Sequence, residues 1–164
     1  TGTNNLDKEY LDSKGIAWRN VAGYSTETVA QHTFAMLLFL LEKLRYYDDY
    51  VKEERYVNDV SFTHFAEHFT EIHGKTWGII GLGAIGRRVA EIARAFGAKV
   101  IHIGSNPNSG LKDVADLFVR IPVESRAKAP DEIHSVQPMT SLFEQSLLLF
   151  GDTTALMLVK EKHL

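Results

Sequence analysis

The sequence predicts a three-layer α/β/α fold with a short parallel sheet, and two β-type runs separated by one helix carry this prediction. The first run is Thr76 to Ile80, and the second is Lys99 to Ile103. Between them, apolar residues recur at helical spacing from Ile85 to Phe96, and Gly97 marks the end of that helix. A strand–helix–strand unit of this kind joins two parallel strands through a right-handed crossover.

Length and composition fit one domain with its own core. The chain has 164 residues, of which 45% are hydrophobic and 24% are charged. The net charge of −3 offers no basic surface for nucleic acid or acidic lipid, so we expect neither nucleic acid nor a membrane as a partner. The absence of cysteine excludes disulfides and cysteine metal sites. Together with the lack of a secretory signal, it predicts a cytoplasmic location.

The N-terminal part is predicted to contain a short strand and one long helix. Gly15 to Val21 has the composition of a strand, and the helix is expected over residues 26–54. Glu27 in its first turn suits the positive end of the helix dipole. Residues 34–41 are apolar on every side of this helix, although the run is too short to span a membrane. One flank therefore needs a second buried surface, which predicts a homo-oligomer.

A third strand and a second long helix are predicted after the strand–helix–strand unit. The strand is expected over residues 116–121, and the helix, with one apolar face, over about 140–162. All these elements are assigned to a single domain of residues 1–164. The connecting segments are predicted as a helical turn at 111–115 and irregular chain at 56–74, 105–110 and 122–138.

The strongest functional signal is Gly81-Leu82-Gly83-Ala84-Ile85-Gly86, which follows the first β-type run and opens the helix. In a dinucleotide site, the first glycine permits a tight turn, the second lets the backbone approach a pyrophosphate, and the third allows close packing of the helix on the sheet. The free amides of the first helical turn then bind phosphate. The alternative is a glycine-rich turn without a ligand.

A dinucleotide site also needs an acidic residue after the second strand to hold the adenosine ribose. The sequence there is Ile103-Gly104-Ser105-Asn106, without a carboxylate, and Asp113 lies too far along the chain to replace one. The sequence therefore predicts a phosphate cradle without its usual ribose anchor. We expect weak NAD binding.

Two further patterns suggest chemistry. His64-Phe65-Ala66-Glu67-His68 matches the H-x-x-E-H pattern of some zinc proteases, but it lies in a connecting segment, so we interpret these residues as solvated histidines and predict no metal site. Glu144, near the start of the last helix, is a candidate general base for moving a proton between adjacent carbons. The alternative role for Glu144 is stabilisation of the helix dipole.

Residues from about 1 to 100 resemble the middle of a D-2-hydroxyacid dehydrogenase. The resemblance implies a Rossmann-like fold in which the glycine loop binds NAD, and a helix from near Ser25 that contributes to a dimer interface. That family's catalytic Arg, Glu and His lie well downstream of the glycine loop, in a region without a counterpart in this sequence. The segments that carry the resemblance are 2–7 (GTNNLD), 20–33 (NVAGYSTETVAQHT) and 74–86 (GKTWGIIGLGAIG).

From about residue 102 the chain instead resembles the C-terminal part of a 6-phospho-3-hexuloisomerase, a sugar isomerase (SIS) domain. This resemblance implies that Glu144 is a proton-transfer base and that Gln137 and Ser141 lie near a sugar phosphate. The SIS loop that holds the substrate phosphate has no counterpart. The segments that carry this resemblance are 105–107 (SNP), 115–122 (ADLFVRIP) and 135–146 (SVQPMTSLFEQS).

Two resemblances that meet near residues 100–105 favour a recombined or engineered chimera of Rossmann-like or flavodoxin-like folds, with residues 1–101 from one family and 102–164 from the other. Our first hypothesis is accordingly a chimeric domain without a complete active site. The second is a residual NAD(H)-binding module of dehydrogenase type. The third is a residual isomerase acting on hexulose 6-phosphate.

Overall fold

The computed structural model describes residues 3, 5–81, 83–108, 113–124, 129–137 and 141–162. The chain divides into two compact units, Thr1–Thr70 and Glu71–Leu164. The first unit is helical, and the described strands lie in the second unit.

The described residues of the first unit form three α-helices and one 3-10 turn. Helix α2 begins at the predicted place, and Ala30 and Phe34 on it are buried. The predicted strand at residues 15–21 is wrong, because that segment of the described chain is irregular. Trp18 in this segment donates its indole N–H to Asp12 Oδ1 at 3.0 Å. The elements are α1 (Lys8–Ser13), α2 (Thr26–Leu41), α3 (Leu44–Lys52) and the 3-10 turn (Arg55–Asn58).

The predicted single helix over residues 26–54 is also wrong, since the chain breaks between α2 and α3. Lys43 has a left-handed conformation with φ 52°. The break lets the tyrosines of α3 reach the segment that follows. Tyr46 shares a hydrogen bond of 2.8 Å with His64, and Tyr47 donates to the carbonyl of Glu67 at 3.2 Å. These contacts hold α3 in a direction that a continuous helix would not give.

The second unit confirms the predicted strand–helix–strand core and the third strand. The strands pair in parallel in the order β1-β2-β3, and the register places Ile79 beside His102 and His102 beside Phe118. The long C-terminal helix is also confirmed. The elements are β1 (Thr76–Ile80), α4 (Ala84–Ala95), β2 (Lys99–Gly104), β3 (Leu117–Arg120) and α5 (Ser141–Lys162). The predicted helical turn at 111–115 lies partly outside the described residues.

The core of this unit lies between the sheet and α4. Val100 is fully buried in β2, and Ile79 of β1 is buried on the same face. Helix α4 covers this face with its own buried side chains, Val89, Ala90 and Ala93. Burial of a valine or isoleucine side chain contributes about 1.5–3 kcal/mol, so this small set of side chains fixes α4 on the sheet and, with it, the turn from β1 into α4.

Helix α5 does not supply the second helical layer that a three-layer fold requires. Among the described residues, α4 is the helix that packs on the sheet, and α5 has no buried residue. Leu148 and Leu149 are exposed by 66% and 67%. By length and composition alone, α5 is apolar enough to cross a membrane, a test that core helices and signal sequences also pass. The Rossmann-like α/β class with a short parallel sheet is confirmed, and among the described residues of the second unit α4 packs on this sheet.

Candidate functional site

The glycine turn between β1 and α4 has the geometry of a phosphate cradle. Gly81 has φ +77°, a conformation that side chains other than glycine rarely adopt, and its N–H donates to the carbonyl of Ile103 at 3.1 Å. This bond ties the turn to the neighbouring strand β2. Gly83 is the N-cap of α4 in an extended conformation. Leu82 lies outside the described residues.

The first turn of α4 presents donors to the space above this turn. The first backbone bond into the helix runs from the Arg87 N–H to the Gly83 carbonyl at 3.0 Å. The preceding amides of Ala84, Ile85 and Gly86 have no acceptor within the helix, and the helix dipole makes this end positive. A Cβ added to Gly81 or Gly83 would meet no described atom within 4 Å beyond the neighbouring residues of the chain, so glycine at these positions leaves the backbone accessible.

The end of β2 lacks a carboxylate, as the sequence predicted. The strand ends at Gly104, followed by Ser105 and Asn106. Asn106 Oδ1 accepts the N–H of Asn108 at 2.9 Å, which stabilises a turn there. Asp116 lies at the beginning of β2, because its Oδ2 accepts the N–H of Val100 at 2.7 Å. The ribose end of the site therefore has no acidic anchor at the usual place.

Sequence reasoning missed His102, which lies two residues before the end of β2. The residue is 3% exposed, and its ring stacks on Phe118 with centroids 4.8 Å apart. Burial lowers the pKa of His102, so the imidazole is neutral near pH 7. Its Nδ1 atom has no hydrogen-bond partner among the described residues. A polar side chain on the buried face of β2, in alternation with Val100, was the available signal.

Arg120 is a second residue that the sequence analysis did not single out as functional. It ends β3 and lies beside Gly104 in the parallel register. Its Nε donates to the carbonyl of Ser105 at 3.2 Å, and its guanidinium binds both carboxylate oxygens of Asp131, one of them at 2.6 Å. This pairing raises the pKa of Arg120 and lowers the pKa of Asp131. A fixed cation therefore lies next to the first residue after β2.

Glu144 lies apart from the glycine turn in the described structure. It is exposed in the first turn of α5, and α5 makes no contact with α4 or the sheet in the described part of the chain. Near it, Gln137 Nε2 donates to Gln145 Oε1 at 3.3 Å, whereas Ser141 begins α5. The geometry does not join Glu144 to the glycine turn in one site.

His64 of the H-x-x-E-H pattern takes part in a hydrogen-bonded aromatic cluster. Its Nε2 lies 2.8 Å from the Tyr46 hydroxyl, and its Nδ1 lies 3.0 Å from Asp59 Oδ2. Its ring stacks on Tyr50 with centroids 3.9 Å apart, and the Tyr50 hydroxyl donates to the same Asp59 oxygen. His64 is therefore a packed residue and not a solvated one. Within the described ranges, no three acidic or histidine side chains are grouped as metal ligands.

Comparison with known families gives a match that includes the glycine turn. Residues 34–145 match the family described as the D-isomer specific 2-hydroxyacid dehydrogenase, NAD binding domain. A putative 2-hydroxyacid dehydrogenase from Haemophilus influenzae is 35% identical over 102 residues, which cover 62% of this chain and 32% of the relative. A glyoxylate reductase from Korarchaeum cryptofilum is 32% identical over 152 residues, which cover 92% of this chain and 44% of the relative.

Solved structures give the same similarity. The D-lactate dehydrogenase from Aquifex aeolicus, complexed with NAD and lactic acid, matches with 36% identity and a TM-score of 0.55, over 72% of this chain and 34% of that chain. A dehydrogenase from Rhizobium meliloti matches with 27% identity and a TM-score of 0.57, over 74% of this chain and 39% of that chain. The chain thus spans between about a third and less than half of these proteins.

The comparisons do not support a join between two families. The match with the dehydrogenase family continues to residue 145, well past the junction placed at 100–105. An alignment with one glyoxylate reductase that covers 92% of this chain also includes that junction. The resemblance of residues 102–164 to a SIS domain, and with it the chimeric origin, is therefore not supported.

Proposed function

Because the chain belongs to the family of D-isomer specific 2-hydroxyacid dehydrogenase NAD-binding domains, we propose that it binds a nicotinamide dinucleotide at the turn formed by Gly81–Gly86. The observation that carries this proposal is the open backbone of that turn. The amides of Ala84, Ile85 and Gly86 lie at the positive end of α4, next to Gly81 and Gly83, which carry no side chain that would keep a phosphate from the backbone.

In this proposal the glycines shape the turn, and the backbone amides after Gly83 bind the pyrophosphate. Gly81 reverses the chain through its positive φ, and its hydrogen bond to Ile103 keeps the turn at the end of the sheet. Gly83 lets the pyrophosphate approach the backbone, and the amides after it donate to phosphate oxygens. A bound nicotinamide cofactor supplies hydride transfer. The missing carboxylate after β2 removes charged hydrogen bonds worth about 1.5–3 kcal/mol, so NAD(H) binds weakly.

The 164 residues act, in our proposal, as the cofactor-binding part of an oxidoreductase for small 2-hydroxy or 2-oxo acids. Support comes from relatives described as glyoxylate reductase and glycerate dehydrogenase, of which the chain covers 44% and 38%. The comparisons give no support to the isomerase hypothesis, in which Glu144 is the base. The cytoplasmic location remains a prediction.

Titration of the chain with NADH, followed by nicotinamide fluorescence, tests the proposed binding. Saturable binding is expected, and Gly83→Val should abolish it because the new side chain fills the space for the pyrophosphate. The backbone of Gly83, with φ −81° and ψ −167°, is acceptable for valine, so the fold should survive. Gly78→Val is the matched control, since its Cβ also meets no atom within 4 Å but lies within β1. No binding of either NADH or NADPH at millimolar concentration would refute the proposal.

We also propose that the chain forms a homo-oligomer through α2. This proposal is supported by three apolar residues of this helix, Met36, Phe39 and Leu40, which are exposed by 52%, 47% and 66%. Light scattering should show an oligomer that Leu40→Glu dissociates. Val60→Glu, at a fully exposed residue outside the helices, is the control that should leave it assembled. A monomeric unmodified chain would contradict this proposal.

A further inference from the structure

The ribose end of the proposed cofactor site lacks the acidic residue that binds the adenosine hydroxyls in NAD-dependent sites of this type. The strand that leads to this end closes on Gly104, followed by Ser105 and Asn106. Recognition of the ribose at this end rests on the proposed dinucleotide binding at the glycine turn.

Packing against His102 keeps a carboxylate out of this position. A Cβ on Gly104 would lie 2.6 Å from Nε2 and 2.9 Å from Cε1 of His102. The ring has little room to move away, because His102 is only 3% exposed and its ring stacks on Phe118. The site therefore has no negative charge at the position where an aspartate would repel a phosphate group.

A buried polar atom of His102 also has no partner at this end of the sheet. The Nδ1 atom accepts and donates no hydrogen bond among the described residues. Such an orphaned group costs free energy. The ring atoms beside Gly104 are Nε2 and Cε1, so His102 places a polar ring edge there, while its unpartnered Nδ1 atom is buried.

Arg120 adds the positive charge that a phosphate group requires. Its Nε donates to the carbonyl of Ser105, directly after Gly104, at 3.2 Å. The planar guanidinium binds anionic oxygens in a fork, and it already does so with the carboxylate of Asp131. Asp131 is exposed and forms no part of a strand, so a phosphate can replace or share its place on the guanidinium.

We propose that the adenosine end of this site accepts a ribose with a 2′-phosphate, so that the chain binds NADP(H) more tightly than NAD(H). Gly104 and Arg120 determine this preference. Because residue 104 is glycine, there is no carboxylate at this position to bind the ribose hydroxyls or to repel a phosphate. The Arg120 guanidinium supplies a charged hydrogen-bond donor to the 2′-phosphate.

Parallel titrations with NADPH and NADH, followed by nicotinamide fluorescence, test the preference. NADPH should bind at least about tenfold more tightly, the low end of what a charged hydrogen bond contributes. Adenosine 2′,5′-bisphosphate should displace NADPH at lower concentration than 5′-AMP does. Equal or tighter binding of NADH would overturn the preference and leave the proposed dinucleotide binding intact. Binding of neither cofactor would overturn both.

Substitutions at the ion pair separate phosphate recognition from a structural role. Arg120→Gln should weaken NADPH about tenfold and change NADH less than about twofold. Asp131→Asn breaks the same ion pair from the other side, and it should keep or strengthen NADPH binding because it releases the guanidinium. If both substitutions weaken NADPH alike, the pair is only structural and the inference is wrong.

A variant with an acidic ribose anchor tests the role of Gly104. Gly104→Asp combined with His102→Ala provides both the carboxylate and the space for it. This double variant should favour NADH, whereas His102→Ala alone should still favour NADPH. A double variant that still folds, by circular dichroism, and still prefers NADPH would overturn the role of Gly104. This comparison does not depend on Arg120→Gln being stable.

Discussion

The imidazole of His102 lies where a side chain on Gly104 would have to be, since a Cβ on Gly104 would sit 2.6 Å from His102 Nε2. Both residues belong to β2 and share one face of the sheet. The ring is held from its other side by Phe118 of β3. The two residues therefore depend on each other: the buried histidine requires glycine at the end of the strand.

Gly104→Ala should destabilise the fold by about 1–3 kcal/mol, because the methyl group displaces a buried ring. Combining it with His102→Ala should give a smaller loss than the sum of the two single losses. Urea unfolding of the wild type and the three variants measures this double-mutant cycle. Strict additivity would show that the two residues do not compete for the same space.

The His102 imidazole should titrate below its ordinary pKa of 6.5, because burial disfavours the charged form. The unfolded chain then takes up a proton near pH 6.5 while the folded chain does not. The contribution of this residue to stability is thus present above pH 6.5 and is lost as the pH falls below it. NMR titration of the His102 Hε1 signal measures the pKa, and a midpoint at or above 6.5 would refute the buried placement.

The Tyr50–Asp59 hydrogen bond should make stability depend on pH at both extremes. It raises the pKa of Tyr50 from 10.0 to about 12 and lowers the pKa of Asp59 from 3.8. The Tyr50 contribution is present below pH 10 and is lost as the pH rises through about 12. The Asp59 contribution is present above pH 3.8 and is lost as the pH falls through its lowered value.

Unfolding by urea across this pH range checks the Tyr50–Asp59 prediction. Tyr50→Phe should reduce the alkaline decline, and it should weaken the acidic decline because Tyr50 is the largest cause of the lowered Asp59 pKa. Asp152→Asn, at an exposed residue of α5 in the second unit, is the control. An unchanged pH profile in Tyr50→Phe would contradict the hydrogen bond.

Lys43→Gly should stabilise the first unit by about 0.5–1 kcal/mol, because glycine adopts the left-handed conformation found at φ 52° without steric cost. In a continuous helix the same substitution would cost about 1 kcal/mol. Thermal unfolding therefore distinguishes the two arrangements by the sign of the change. A lower melting temperature in Lys43→Gly would contradict the break at Lys43 and would support a single continuous helix over residues 26–54.

The sequence was sufficient where local patterns determine the structure. The apolar spacing before Gly97 gave helix α4, the two β-type runs gave the parallel pair β1 and β2, and the glycine spacing placed the turn from Gly81 to Gly86 between them. The missing carboxylate at Gly104 was also read correctly, because it depends only on counting from the glycines to the strand end.

Distant contacts explain what the sequence left out. Lys43 favours helix by propensity, so nothing local predicts its left-handed conformation, which accompanies the contacts of Tyr46 and Tyr47 with residues about 20 positions later. His102 was missed because its burial depends on Phe118 across the sheet. The C-terminal residues were assigned to a second family by short motifs, whereas the match over residues 34–145 assigns them largely to one.

The most direct test of the central claim is an amide NMR titration of the uniformly labelled chain with NADH and NADPH. Binding of either cofactor at the glycine turn should change the chemical shifts of the amides of Gly81, Gly83, Ala84 and Ile85. Binding of NADPH should also change the shifts of amides near Gly104. The amides around Glu144 should stay unchanged. Shifts confined to the region of Glu144, or none at millimolar cofactor, would contradict the dinucleotide site.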